Sequence, residues 1–358
     1  MKITKIEAWQ IETPRFGTIV SGHIILKVHT DGDVVGIGEV SDSRAGDLAN
    51  VVRQYNELLV GRDPACITEI NTMLREHDFG DEVGSPHLAS GIDLGLYDLN
   101  GKAQGVPAYQ LMGGKVRDRI YCCYPIFGNW VRRDYDYGAK SLQHLADQGH
   151  HLFRYYISND VELDNRFLTE MKDRFGDQIR LKSLDLKGYF KDWEEALRYA
   201  DVIRHHAPYH FEQPSRDLRE CAEFTKRVDL HVSQHIGSLS HGYEAIERGA
   251  CTAFNLACVI GGPTYIRRIF AMAEGAGIRC LVGTDQESTL GTSAQVQVGV
   301  SVPNLDLPCD PMGPVLYTTS PAKERVRAEE SYLYPPGEPG LGVELDEVKL
   351  KELTVAQA

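Results

Sequence analysis

The sequence predicts an α/β protein: a closed barrel of alternating strands and helices behind a small N-terminal α+β unit. Three observations carry this. From about residue 120, short apolar runs alternate with helix-length amphipathic stretches, seven or eight times in roughly 190 residues. Before that point, strands come first and a helical period follows. No Gly-x-Gly-x-x-Gly follows a strand, which weakens the rival, an open dinucleotide-binding sheet.

Residues 1–40 read as strands. Ile3, Ile6 and Trp9 open apolar runs, and 23–28 leads to Asp31-Gly32, a hairpin signal. The second arm is 34–39. From about 45 to 113 the period is helical, with Ile92, Leu96 and Leu99 at i, i+4 and i+7, and Gly105 with Pro107 ending that helix. The barrel strands follow at 120–124, 152–157, 179–184, 209–211, 230–232, 253–256 and 278–282. One amphipathic stretch, 264–276, places Ile266, Ile269, Phe270 and Ala273 on one face. The tail, from about Pro321, reads as a loop and a short strand returning to the first unit.

Composition bounds the function. The chain has 358 residues, a length that suggests about two domains. Its net charge of −13 repels phosphate backbones and anionic lipid, so neither a nucleic-acid nor a membrane-surface role is expected. No run approaches the ~18 apolar residues of a spanning helix. The start lacks the apolar core of a signal peptide. The 8 cysteines are scattered with no Cys-x-x-Cys, which predicts reduced, mostly buried thiols in a cytoplasmic protein. The pairs His150-His151 and His205-His206 fall in helix-to-strand connections and are expected to be exposed, as is Arg132-Arg133.

In such barrels the reactive groups sit just past the C-terminal ends of the strands. Asp185 and Glu212 end consecutive strands, which brings two carboxylates within a few ångströms. That arrangement is costly unless a cation lies between them or one is protonated. Oxygen ligands open to water suit Mg²⁺. The competing reading is that each caps the helix or turn that follows.

At this point the residues carry a resemblance. Val35-Gly36-Ile37-Gly38-Glu39, Leu96-Tyr97-Asp98-Leu99-Asn100-Gly101-Lys102, Pro107 to Gly114, Phe211-Glu212-Gln213-Pro214, Gly261-Gly262, Glu287 to Thr292 and Gly340 to Asp346 occur in order along nearly the whole chain. In that order and spacing they resemble the mandelate racemase and muconate lactonizing branch of the enolase superfamily. The resemblance implies a (β/α)7β TIM-like barrel with an α+β capping domain. The divisions are then 1–118, 119–320 and, returning to the capping domain, 321–358. It also implies Mg²⁺, removal of the proton α to a carboxylate, and a homo-oligomer.

Carried over residue by residue, Asp185 stands at the first metal ligand and Glu212 at the second. The third, normally a Glu, is Gln234, with His235 a one-residue alternative. The acid–base lysines are missing. Their second-strand positions are Arg154 and Tyr156, and the sixth-strand position is Leu256 or Ala257. Arg154 can clamp a carboxylate but cannot act as a base. Tyr156 is a base only beside cations. His235 titrates near neutrality and is the other proton carrier. Glu287 can hydrogen-bond substrate, act as an acid, or cap the helix beginning near Ser288. Lys187 stands where an Asn is usual; it points either at the cation's place or into solvent. Arg15, His23 and Arg44 lie where capping loops close over substrate.

The expectation is therefore a Mg²⁺-dependent lyase or isomerase acting on a small carboxylate such as a hydroxy or sugar acid. Its rival is a member that has lost the chemistry and binds a ligand or serves as structure. A Schiff-base aldolase is weak, since no Lys clearly ends a strand facing inward.

Overall fold

The structure, a computed structural model, describes residues 1–17, 19–206 and 208–358. The chain begins as an antiparallel sheet: β1 (Ile3–Pro14), β2 (Val20–Thr30) and β3 (Gly36–Val40). The Asp31-Gly32 turn joins the last two as a hairpin. Three helices cover the sheet: α1 (Leu48–Leu59), α2 (Ile67–Glu76) and α3 (Ser85–Gln104). Gly105 ends α3 in the left-handed conformation at φ 70°, which only a residue without Cβ adopts freely.

The contact of α3 with β3 is backbone on backbone. A Cβ on Gly38 would stand 1.9 Å from the Gly91 carbonyl oxygen, and one on Gly36 would stand 2.1 Å from that of Gly95. Gly38→Ala is therefore expected to lower unfolding stability by about 1–3 kcal/mol through overpacking. Chemical denaturation measures this, and an unchanged midpoint would contradict the close approach.

The second unit is a parallel sheet of seven strands, each paired to the next in sequence. After β4 (Ile120–Tyr121), these are β5 (Tyr124–Phe127), β6 (Leu152–Tyr156), β7 (Arg180–Asp185), β8 (His210–Glu212), β9 (His231–His235), β10 (Ala253–Leu256) and β11 (Arg279–Val282). The first barrel strand differs from the sequence expectation. Ile120–Tyr121 leaves the barrel because β13 (Tyr332–Leu333), itself paired to β12 (Ala328–Glu329), captures it antiparallel. The barrel strand starts instead at Tyr124.

Residues around Cys309 close the ring. Cys309 bridges Cys122 in parallel, and the Asp310 N–H donates to Val282 O at 2.9 Å. This eighth position is two residues deep and contributes one side chain, Asp310, to the lumen. At the end of the chain β14 (Thr354–Gln357) pairs antiparallel with β1. One apolar core lies between the capping sheet and its helices, and a larger one surrounds the barrel.

The two units meet over the barrel mouth. The Glu39 carboxylate accepts from Ser288 N–H (2.7 Å), Ser288 Oγ (2.6 Å) and Gly291 N–H (2.9 Å), at the start of the barrel helix Thr289–Ser301. A carboxylate satisfies the free N–H groups and the positive dipole end of a helix. Thr264 N–H donates to Asp93, and the Asn71 amide donates to Gly261 O.

Seven of the cysteines are buried, Cys66 is exposed, and all are free thiols. No helix among the described residues is long and apolar enough to cross a membrane. Against the expectation of exposure, His150 is buried, because its Nδ1 accepts the Ser331 N–H from the C-terminal segment. His151 is half-buried, with Nε2 at 2.7 Å from the Tyr121 hydroxyl.

Candidate active site

Barrel strands turn alternate residues inward. Asp185 lies opposite Glu212, Glu212 opposite Ser233, and His235 opposite Asn255, so these side chains share the lumen. Asp185, Glu212 and His235 each bring one donor atom to within 4.8 Å of the others. His235 Nε2 lies 2.7 Å from Glu212 Oε1. Both carboxylates are buried, while His235 is 32% exposed and opens to the mouth.

Gln234, the expected third ligand, lies elsewhere. It pairs with Phe254, on the strand face turned to the helices, and its amide lies against Cys221 of the helix Leu218–Thr225. The register leaves the lumen to its neighbour, because a one-residue step reverses the face. The apolar Val232 two residues earlier carried that signal, since it shares Gln234's face.

Beneath the cluster lies a buried charge network. Arg154 NH1 donates to both Glu212 oxygens (3.0 and 3.2 Å) and to Asp310 Oδ2 (2.9 Å). The Asn255 amide bridges the same two carboxylates at 3.0 and 2.9 Å. Lys182 Nζ donates to Asp310 Oδ1. Arg154 is 1% exposed; NH1 alone serves Glu212 and Asp310, while Nε and NH2 are buried without a hydrogen-bond partner.

Lys182 reaches the lumen through a bulge. Phe153 pairs with Leu181 and Arg154 with Ser183, leaving Lys182 unpaired between them. The sequence reading missed Lys182, Asp310 and Asn255. Alternation cannot reveal a bulge, and the segment holding Asp310 is too short to look like a strand.

The charges sort accordingly. Burial opposes ionisation of Glu212, but Arg154, His210 and His235 more than offset it and hold the carboxyl well below its usual range. Burial and then the Glu212 charge push Asp185 up to about 7. Burial lowers the His235 pKa, and the bond to Glu212 outweighs it, so the imidazole is shifted up.

The remaining candidates separate. Tyr156 ends β6 at the mouth, its ring stacked on Phe127 at 4.5 Å. The Arg154 guanidinium lies 4.2 Å from that ring and Lys187 Nζ 6.0 Å. Lys187 sits half-buried between Tyr156 and Tyr189; its backbone N–H, not its ammonium, donates to Asp185 (2.8 Å). Glu287 accepts from Asp285 N–H (2.7 Å) and Thr284 Oγ1 (2.5 Å) in its own turn and from Gln295 Nε2 (2.7 Å) in the helix that follows. The carboxyl left free there is Asp285, which burial and the Glu287 and Asp42 charges push up to about 7.

Of the capping cations, Arg15 reaches the barrel, donating to Gln286 as well as to Ser21 and Asp42. His23 is buried against Glu39, and Arg44 pairs with Glu12 at the surface.

Known proteins match this arrangement along the chain. The family model described as enolase C-terminal domain-like matches residues 138–349, and the mandelate racemase / muconate lactonizing enzyme N-terminal domain matches 8–113. The chain belongs to the mandelate racemase and muconate lactonizing branch of the enolase superfamily. It is 27% identical to muconate cycloisomerase 1 of Pseudomonas putida, over 91% of this chain and 89% of that one. It is 28% identical to D-galactonate dehydratase of Pectobacterium atrosepticum, over 97% and 93%. The structure of the Pseudomonas putida muconate lactonizing enzyme superposes with a TM-score of 0.85 at 26% identity, covering 99% of this chain and 100% of that one.

As a member of this branch the chain is an enzyme, which sets aside the reading as a binding or structural protein. Enolase-superfamily members typically use a divalent metal, and the donor set fits one: two carboxylate oxygens and an imidazole nitrogen converge on a point open to the mouth.

Proposed function

We propose that this enzyme removes the proton α to the carboxylate of a small hydroxy or sugar acid. Mg²⁺ is the activating cation that the family resemblance implies. Dehydration, epimerisation or racemisation, or cycloisomerisation then follows according to the substrate. The convergence of Asp185, Glu212 and His235 at the barrel mouth, beneath the capping domain, carries this reading. Those three side chains would hold the cation, which would supply positive charge to offset the negative charge that develops as the proton leaves.

Arg154 acts indirectly: with Asn255 it fixes Glu212 against Asp310, so the carboxylate does not reorient during reaction. Glu287 holds the turn that starts the helix Thr289–Ser301. His235 belongs to the cation, so the proton carrier is Tyr156. It stands at the strand end, with the Arg154 guanidinium 4.2 Å and the Lys187 ammonium 6.0 Å from its ring centre. Arg15, 4% exposed and engaged by Ser21, Asp42 and Gln286, ties the capping loops to the barrel rim.

The test is hydrogen exchange of candidate acids in D₂O, read by NMR. Tyr156→Phe should lower the rate about 10²–10⁴-fold with thermal unfolding unchanged. A Tyr156→Phe enzyme of near-normal rate would remove the tyrosine from the mechanism.

A further inference from the structure

We propose that His235 turns this site away from Mg²⁺ and toward first-row divalent ions that accept an imidazole, of which Mn²⁺ is the probe nearest to Mg²⁺ in its taste for carboxylates. The inference rests on the reading that Asp185, Glu212 and His235 hold the cation, and it concerns which cation they select.

Two independent observations support it. The first is the identity of the third donor. The register places His235 in the lumen and Gln234 behind the strand, so the donor is a nitrogen and not an oxygen. Mg²⁺ is hard, demands oxygen ligands and keeps its waters. Imidazole favours the first-row transition ions over Mg²⁺, and Mn²⁺ is the one of them that shares the carboxylate chemistry of Mg²⁺.

The second observation is that the Glu212 charge is already shared. Arg154 NH1 touches both of its oxygens, at 3.0 and 3.2 Å, and Asn255 Nδ2 touches Oε1 at 3.0 Å. An ion held chiefly by the charge of carboxylates loses most from this neutralisation. An ion that also bonds to nitrogen loses least. The donors are fixed as well: Asp185 Oδ1 accepts the Lys187 N–H at 2.8 Å, and His235 ends a strand paired on both sides. No further His, Cys, Asp or Glu joins this group among the described residues.

The experiment uses the full chain, stripped of metal, with MnCl₂ and MgCl₂ as probes. Calorimetric competition is expected to show tighter Mn²⁺ binding, with the Mn²⁺-over-Mg²⁺ preference falling at least ~10-fold in His235→Glu. Pulsed EPR of Mn²⁺ on the wild-type protein should show coupling to a directly bound nitrogen, and that signal should change when histidine is ¹⁵N-labelled. The labelling needs no variant, so it decides the matter even where His235→Glu fails to fold. Mn²⁺ that binds, is lost in Asp185→Asn, yet shows no histidine nitrogen coupling would overturn the role of His235 and leave the metal site standing. An unchanged preference in a folded His235→Glu protein would do the same. No binding of either ion at millimolar concentration would overturn both the inference and the reading beneath it.

Discussion

Glu212→Gln is expected to abolish turnover, lowering α-hydrogen exchange at least about 10³-fold. The amide keeps the shape of the side chain but removes one of the two carboxylates in the cluster. It also removes the anion that fixes Arg154 and His235, at 3.0 and 2.7 Å. The protein should still fold, because Arg154 retains Asp310 as a partner. A screen of hydroxy acids, sugar acids and amino-acid derivatives in D₂O, read by NMR, measures the effect whatever product forms. An acid that continues to exchange at the wild-type rate in Glu212→Gln would move the chemistry away from this cluster.

The second large effect is on stability. Lys182→Met is expected to cost about 3–5 kcal/mol, the penalty for stripping one partner from a buried ion pair. Lys182 and Asp310 are 0% and 1% exposed, so water cannot take the place of the ammonium. Arg154 and the Asn255 amide would then be left to serve both Glu212 and Asp310. The pH dependence has a definite sign. Burial opposes the Asp310 charge, but Arg154 and Lys182 outweigh it and hold its carboxyl below the usual value. A carboxyl lowered in the folded state stabilises above its unfolded pKa, and that contribution disappears as pH falls through the folded one. The deficit of Lys182→Met should therefore be largest at neutral pH and shrink on acidification below about 4. Denaturant unfolding at the two pH values checks it, and adding Asp310→Asn should restore part of the loss. A deficit below about 1 kcal/mol at neutral pH would mean that the pair is not buried as described.

Much of this was legible in the residues. Repeated strand and helix periods predict a barrel because each period exposes one apolar face that only stacking can bury. Asp185 and Glu212 could be singled out because each directly follows an apolar run, and successive strands in a parallel barrel are neighbours. The Asp31-Gly32 hairpin and the Gly105 helix end follow from backbone conformation alone, before any tertiary contact.

Other assignments needed the folded chain. Whether Gln234 or His235 enters the lumen is a one-residue question, answered by the pairing of β9 with β10. Lys182 reaches Asp310 only because β7 carries an unpaired residue against β6, and a bulge leaves no mark in an apolar pattern. Glu287 looked like a site carboxylate from its position, yet three donors in its own turn and the following helix consume it. The residues by themselves determined the architecture and which strand ends carry chemistry, because periodicity and strand order are local properties of the chain. Tertiary structure alone decided which face each side chain takes and which charges neutralise one another, because those depend on register and on atoms far apart in sequence.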